Sequence, residues 1–352
     1  MPRLNPFAWG RTKLTKLWEA AIDGHVVSLG WSHALGLVAA ASADGPIVLF
    51  DAKTGQVRAS LSGHGFGTSC VAWSPDGSLL ASAGQDGKVR LWDPASGQQT
   101  CEMAAGAAWV ERVAWRVDAP TLPGDGAGVL ASAAGKKLRL WSRDGALIRE
   151  YPDHPSTIAD IQWRPDAPVL ASTAYGKLFF WSPDSIEPLR EFNWQGSMLA
   201  LAWSPKAEYI AAGAQDCTVH FWKLETGEDL QMSGYPRKVR ELSWDATGRY
   251  LATGGADVSC VWDFAGEGPE GSEPIQLEAH KDFINCLAFQ HQGELLASGG
   301  EDGQVVLWKP STQRGAVSIA KHGAPVSQVA WSADDQRLAA GTAAGTVAMY
   351  AL

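Results

Sequence analysis

The sequence of 352 residues has few charges, few cysteines and no long run of apolar residues. Charged residues make up 19% of the chain and hydrophobic residues 45%, which indicates a chain that can build a core and is not of the disordered class. The formal net charge is −9, and general nucleic-acid-binding proteins usually carry a basic domain or stripe. The sequence therefore predicts no nucleic-acid partner.

The cysteines are five in number, widely spaced, and never form a CxxC pair. An odd, scattered set argues against both a disulfide framework and a zinc ribbon. The first sixteen residues, MPRLNPFAWGRTKLTK, lack the apolar segment of a secretory signal, and no stretch of about 18 apolar residues could span a bilayer. We therefore expect a cytoplasmic protein without a membrane contact.

Tryptophan, by contrast, is abundant, with 17 copies, and most of them belong to a repeat. A short apolar strand ending in an aromatic residue recurs along the chain, for example VAWSPDG at 71–77 and LAWSPKA at 201–207. The aromatic residues that end this strand, here called anchors, are Trp31, Trp73, Trp115, Trp163, Trp203, Trp244, Phe289 and Trp331. A second segment such as VRLWD follows each anchor, and its aromatic residues are Phe50, Trp92, Trp141, Trp181, Trp222, Trp262, Trp308 and Tyr350.

Tight turns separate these segments, as in LLASAGQDG (79–87) and LLASGGEDG (295–303). Asp-Gly between two strands favours a hairpin, because the turn requires positive φ. Each unit of about 40–45 residues thus predicts four antiparallel strands, which is typical of a propeller blade. The GH and WD signatures over residues 16–352 resemble the WD40 family. The resemblance implies an all-β WD40 β-propeller, and the eight anchors with their eight second segments predict an eight-bladed ring, with an N-terminal extension at 1–13 and a single domain at 14–352.

The last repeat stops after its third strand, and the segment LTKLWEAAI (14–22) precedes the first anchor. We predict that this segment pairs with the last blade and covers its open edge. The alternative is a seven-bladed ring with one repeat outside it.

The WD40 resemblance also implies a buried His–Ser–Asp–Trp hydrogen-bond chain inside a blade. Two repeats match it fully, with His64, Ser82, Asp86 and Trp92 in one and His280, Ser298, Asp302 and Trp308 in the other. His, Ser and Asp are also the residues of nucleophilic catalysis. Their recurrence at one repeat position favours the structural interpretation. We predict no catalytic residue, no cofactor and no metal site.

Function on such a scaffold depends on its loops. The loops before the anchors should share one face with the middle hairpin turns, and several carry the aromatic and basic residues that are enriched in interfaces. The candidate partner-binding residues are Trp109, Tyr175, Trp194, Tyr235, Arg237, Lys238 and Phe283. The aromatic members could instead pack between neighbouring repeats. The Gly- and Pro-rich inserts at 117–130 and 266–274 should lie on the opposite face.

The sequence therefore predicts a monomeric, non-enzymatic scaffold that binds other proteins. QMSGYPRKVRELSWDATGRYLATGG and DHPSTIADIQW are similar to bacterial WD40 proteins that accompany CobW-type GTPases of metal homeostasis, which implies a metal-handling GTPase as partner. Two alternatives stay open: a small-ligand or metal sensor that uses the central channel, and an enzyme at the channel mouth using the scattered Glu111, Asp153 and Asp282.

Overall fold

The computed structural model describes residues 13–106, 109–116, 128–266, 268–312 and 315–352. Every regular element in these ranges is a β-strand. Across the same ranges, no helix is long and apolar enough to cross a membrane. The proposed N-terminal extension at 1–13 lies almost entirely outside the described residues, and its boundary stays a prediction.

Thirty strands follow one another along the described chain. The first nine are β1 (Thr15–Ala21), β2 (Val26–Ser32), β3 (Leu37–Ser42), β4 (Ile47–Asp51), β5 (Val57–Leu61), β6 (Thr68–Trp73), β7 (Leu80–Gly84), β8 (Lys88–Asp93) and β9 (Gln98–Ala104). The next ten are β10 (Val110–Trp115), β11 (Leu130–Ala134), β12 (Lys137–Trp141), β13 (Leu147–Glu150), β14 (Ile161–Trp163), β15 (Leu170–Trp181), β16 (Arg190–Trp203), β17 (Tyr209–Ala214), β18 (Val219–Lys223) and β19 (Asp229–Met232). The last eleven are β20 (Leu242–Trp244), β21 (Tyr250–Thr253), β22 (Val258–Asp263), β23 (Ile275–Glu278), β24 (Ile284–Phe289), β25 (Leu296–Gly300), β26 (Gln304–Trp308), β27 (Ser318–Lys321), β28 (Val326–Trp331), β29 (Arg337–Thr342) and β30 (Thr346–Ala351).

These strands form seven antiparallel sheets, six with four strands and one with six. The prediction of eight separate blades is therefore wrong, and the propeller has seven. The six-stranded sheet, β14 to β19, contains the fourth and fifth sequence repeats together. The alternative of one repeat outside the ring also differs from the structure, since all eight repeats lie within the seven sheets.

The two repeats are joined through one long strand. The 14-residue strand β16 runs from the outer part of the fourth repeat into the inner part of the fifth, and it pairs with β15 on one side and with β17 on the other. Tyr175 pairs with Ser197 and fastens the turn of the fourth repeat to this long strand.

The ring closes where the two ends of the domain meet. Strand β1 pairs antiparallel with β30, from Thr15 opposite Ala351 to Ala21 opposite Thr346, and it occupies the edge of the last sheet. The predicted pairing of segment 14–22 with the last repeat is thus confirmed. Trp18 adds to the seam, because its indole N–H donates to the carbonyl oxygen of Ala52 at 3.1 Å, in the first repeat.

The core lies between neighbouring sheets and is built from small and aromatic side chains. Strands β3, β7, β11 and β25 consist only of Leu, Val, Ala, Ser and Gly, and all of their residues are buried. A strand that is covered on both faces reads as continuously apolar or small. The small side chains also allow adjacent sheets to approach closely near the axis of the ring.

Six of the eight anchors fasten their repeat to the one before it. The indole N–H of an anchor donates to the carbonyl oxygen of the residue just before the previous anchor, as Trp115 does to Ala72 and Trp244 does to Ala202, each at 3.1 Å. Trp31 makes the same bond to Ala330 at 3.1 Å, which links the first repeat to the last. Inside the six-stranded sheet, Trp203 donates likewise to Gln162 at 3.3 Å. One recurring residue type therefore explains both the repeat and the ring.

Candidate functional site

Backbone hydrogen bonds hold the loops before the anchors against the middle hairpin turns. Gln85 N donates to Gly67 O at 3.0 Å, and Val239 N donates to Ala214 O at 3.1 Å. The corresponding bond runs from Glu301 N to Phe283 O, at 2.8 Å. These two sets of loops therefore form one surface, which we call the upper face. The turns that follow the anchors and the second segments form the lower face.

Under the upper face, His64 lies at the centre of a buried hydrogen-bond chain. Its Nδ1 is 2.8 Å from Asp86 Oδ1 and its Nε2 is 2.8 Å from Ser82 Oγ. The indole N–H of Trp92 donates to the same Oγ, at 2.8 Å. A neutral ring that donates from Nδ1 and accepts at Nε2 satisfies every member. Gly84 makes room for this ring, because a Cβ there would lie 2.2 Å from His64 Cγ.

The second full set has the same arrangement. His280 Nδ1 is 3.0 Å from Asp302 Oδ1, His280 Nε2 is 2.8 Å from Ser298 Oγ, and Trp308 donates to that Oγ at 2.8 Å. Ser298 is fully buried, and His280 is 7% exposed. The hydroxyls of Ser82 and Ser298 are both fully buried, and each is bonded to a histidine and a tryptophan of its own repeat.

Two further histidines keep only part of the chain. His154 Nε2 is 2.8 Å from Ser172 Oγ, but its Nδ1 has no partner among the described residues because Tyr175 stands where the Asp would be. Burial lowers the pKa of His154 to about 4. His322 instead contacts the hydroxyl of Tyr350, at 2.8 Å, in the last repeat.

Tyr235, a candidate for partner binding, lies inside its sheet. It is 9% exposed, and its hydroxyl is 2.8 Å from Thr253 Oγ1 and accepts the indole N–H of Trp262 at 2.9 Å. It therefore stands in the place of the missing histidine and connects the same two strands. This placement removes Tyr235 from the exposed surface, since its polar atom and its ring are both used internally.

Arg237, Lys238 and Phe283 come together on the upper face. They line a cleft of about 470 Å³ between the loop that precedes Trp244 and the loop that precedes Phe289. The guanidinium carbon of Arg237 lies 3.8 Å from the centroid of the Phe283 ring, within the range of a cation–π interaction. Two loops from different repeats thus contribute side chains to one cleft.

The cleft is basic, although the whole chain is acidic. Arg237, Lys238 and Arg240 are exposed, and in the described part of the chain none of them has an ion pair. Glu241 is the one carboxylic acid of the lining, and burial raises its pKa. Sequence reasoning missed Arg240, although it lies only two residues after Lys238 in the same loop.

The remaining candidates lie elsewhere on this face. Tyr175 is 63% exposed and lines a second cavity together with Trp194. Trp109 is 54% exposed and belongs to neither lining. The predicted arc is therefore divided into two cavities and one isolated aromatic residue.

The acidic residues considered for an enzyme do not converge in the structure. Asp153 forms an ion pair with Lys137 at 2.6 Å, and Asp282 accepts the backbone N–H of Phe283 at 2.8 Å. Over the described ranges, no group of three or more His, Cys, Asp or Glu side chains is arranged to hold a metal ion. Most of the first insert, residues 117–127, lies outside the described residues, as does residue 267 of the second.

Comparison with known proteins agrees with this geometry. The family described as WD domain, G-beta repeat, matches residues 55–93, 186–223, 271–309 and 316–350. WD repeat-containing protein 1 of Xenopus tropicalis is 27% identical over 203 residues, which are 55% of this chain and 33% of that protein. The serine-threonine kinase receptor-associated protein of Rattus norvegicus is 22% identical over 182 residues, 51% of this chain and 39% of that protein.

The chain thus spans about a third to two fifths of the length of these two relatives. Among solved structures, the computationally designed Ika8 protein superimposes with a TM-score of 0.79 at 22% identity, covering 94% of this chain and 98% of that one, which is a likeness of fold. The repeated aromatic anchors, the buried His–Ser–Trp chains and the four matched segments lead to one conclusion: the chain belongs to the WD40-repeat β-propeller family.

Proposed function

We propose that this chain is a non-enzymatic interaction scaffold whose upper face binds an acidic segment of a partner protein in the cleft beside Arg237 and Phe283. WD40-repeat relatives suggest an interaction scaffold in general terms. The observation that carries the specific proposal is the excess of unpaired, exposed cations in this cleft of a chain with net charge −9.

The chemistry of the cleft fits such a segment. Arg and aromatic side chains supply much of the binding free energy in protein interfaces. The Phe283 ring holds the Arg237 guanidinium in place, so less conformational entropy is lost when a carboxylate binds. Lys238 and Arg240 add positive potential around the same opening, which favours encounter with an acidic surface.

The test compares proteins captured from the native cell extract by three forms of the tagged chain. The charge-reversed form carries Arg237→Glu and Lys238→Glu. The matched control carries Lys53→Glu and Lys206→Glu, which reverse two exposed lysines of the lower face. We expect the wild type and the control to retain the same partner, and the upper-face variant to lose it. Equal retention by all three forms would exclude the cleft as the binding site.

One result would redirect the proposal. Capture of nucleic acid instead of protein would mean that the basic cleft serves another polymer. Elemental analysis of the same preparation addresses the metal-homeostasis role inferred from the resemblance to bacterial WD40 proteins beside CobW-type GTPases. That role, the cytoplasmic location and the monomeric state stay predictions.

A further inference from the structure

A second cavity of about 640 Å³ opens on the upper face, where the fourth and fifth repeats share the six-stranded sheet. Its lining residues are Tyr175, Gly176, Asn193, Trp194, Gln195 and Asp229. Tyr175 is held at the rim, because its backbone N–H donates to Ser156 Oγ at 2.7 Å while its side chain stays 63% exposed. The cavity thus combines two aromatic side chains with one carboxylate.

One side of Trp194 is fixed against His220. The two ring centroids are 3.4 Å apart with an angle of 32° between the planes, and His220 is fully buried in β18. Trp194 therefore forms a rigid wall, and its remaining surface lines the cavity. An aromatic ring held in this way can meet a ligand with little loss of side-chain entropy.

This wall is kept at a cost in stability. Trp194 Nε1 and both ring nitrogens of His220 are buried without a hydrogen-bond partner in the described part of the chain. Buried polar atoms are nearly always paired, and unpaired ones often mark a functional site or a missing ligand or water. An apolar side chain in place of His220 would avoid this cost.

The charges around the cavity are negative. Asp229 lines it, and Asp216 lies close to the Trp194 indole: a Cβ added at Gly196 would be 3.4 Å from Trp194 Nε1 and 3.6 Å from Asp216 Oδ2. Neither aspartate has an ion pair with any described residue, whereas the nearby Lys177 is paired with Glu191 at 2.5 Å. An added cation would thus find aromatic faces and uncompensated carboxylates together.

We infer that this cavity is a binding site for an organic cation, such as the ammonium group of a lysine or methylated lysine side chain. Aromatic rings attract such cations through the negative potential of their faces, and a carboxylate adds a full charge. The hairpin turn at 215–218 separates this site from the basic cleft, since Gln215 lines the cleft and Asp216 adjoins Trp194. The cation site does not depend on whether that cleft binds an acidic segment.

The test uses three small probes whose binding is measured by ligand-observed NMR and calorimetry. They are N-acetyl-trimethyllysine methylamide, the same compound of unmodified lysine, and an uncharged isostere in which carbon replaces the quaternary nitrogen. We expect the trimethyllysine probe to bind at least about tenfold more tightly than its neutral isostere, because shape alone is the same in both. Equal affinity of the two, or no binding of any probe at millimolar concentration, would overturn the inference.

Variants assign the binding to this cavity. Tyr175→Leu and Asp229→Asn should each weaken the trimethyllysine probe about threefold or more. The controls are Phe66→Leu, which removes an 87% exposed aromatic ring elsewhere, and Glu278→Gln, which removes an exposed carboxylate from the next outer strand. All four changes are at exposed side chains, so the fold should be kept, which circular dichroism verifies. Loss of binding in the controls, or its persistence in both cavity variants, would contradict the assignment.

Discussion

Replacing Tyr235 by phenylalanine removes a single buried hydroxyl that connects two strands. In the native chain this oxygen lies 2.8 Å from Thr253 Oγ1 and 2.9 Å from Trp262 Nε1. The phenylalanine ring has nearly the same volume, so no cavity is created and the change isolates the hydrogen bonds. Thr253 keeps a second bond to Cys260 O at 3.2 Å, whereas the Trp262 N–H is left without an acceptor.

A buried donor without a partner costs about 1–3 kcal/mol, and a lost hydrogen bond costs about 1 kcal/mol. Tyr235→Phe should therefore lower the free energy of unfolding by about 2 kcal/mol. Tyr235→His is the informative comparison, because Thr253, Asp257 and Trp262 already occupy the other positions of the full hydrogen-bond chain. The imidazole can meet Thr253 again, so we expect this variant to be more stable than Tyr235→Phe.

Urea unfolding followed by circular dichroism measures both effects, with Tyr175→Phe as the control because Tyr175 is exposed. An unchanged midpoint for Tyr235→Phe would refute the structural assignment of this tyrosine. A histidine variant less stable than the phenylalanine variant would show that the hydroxyl does not stand in for the missing imidazole. Partner capture well below the unfolding transition should be unaffected, since the ring is buried.

Two further predictions concern the ring closure and the buried histidines. Deleting residues 1–22 removes β1, leaves the edge of β30 unpaired and should cause loss of monomeric protein in size-exclusion chromatography; a folded monomer would show that closure does not require this strand. Burial lowers the pKa of His154 to about 4 from an ordinary value near 6.5, so the unfolded chain binds the extra proton first as the pH falls. The stability that the chain gains from keeping His154 neutral is fully present above pH 6.5. It should be lost progressively toward pH 4, which lowers the free energy of unfolding by about 3 kcal/mol. His154→Gln should flatten this part of the pH profile, and an equally steep profile would contradict the assignment.

The sequence was informative wherever one residue type recurs at a fixed spacing. Six of the eight anchors make the same bond to the preceding repeat, as Trp115 does to Ala72, and this shared contact explains their regular spacing in the sequence. The pairing of β1 with β30 also followed from counting, since the last repeat lacked a fourth strand. Features that recur in every repeat can therefore be predicted from a single sequence.

Features that depend on the particular contacts of one repeat could not be predicted from the sequence. The blade count was wrong because Tyr175 pairs with Ser197 and joins two repeats into one sheet, a pairing that no local pattern announces. Tyrosine is a residue type that is common in interfaces, and only the contacts of Tyr235 with Thr253 and Trp262 show that it lies inside the sheet. The basic cleft likewise required the approach of two loops that are more than forty residues apart.

Hydrogen exchange of the complex with its captured partner tests the central claim most directly. The proposed function predicts slower amide exchange on binding in the loops at 233–241 and 279–285, which carry Arg237 and Phe283. The lower-face turns around Lys53 and Lys206 should exchange at the same rate with and without the partner. Protection confined to the lower face, with the two upper loops unchanged, would contradict the account.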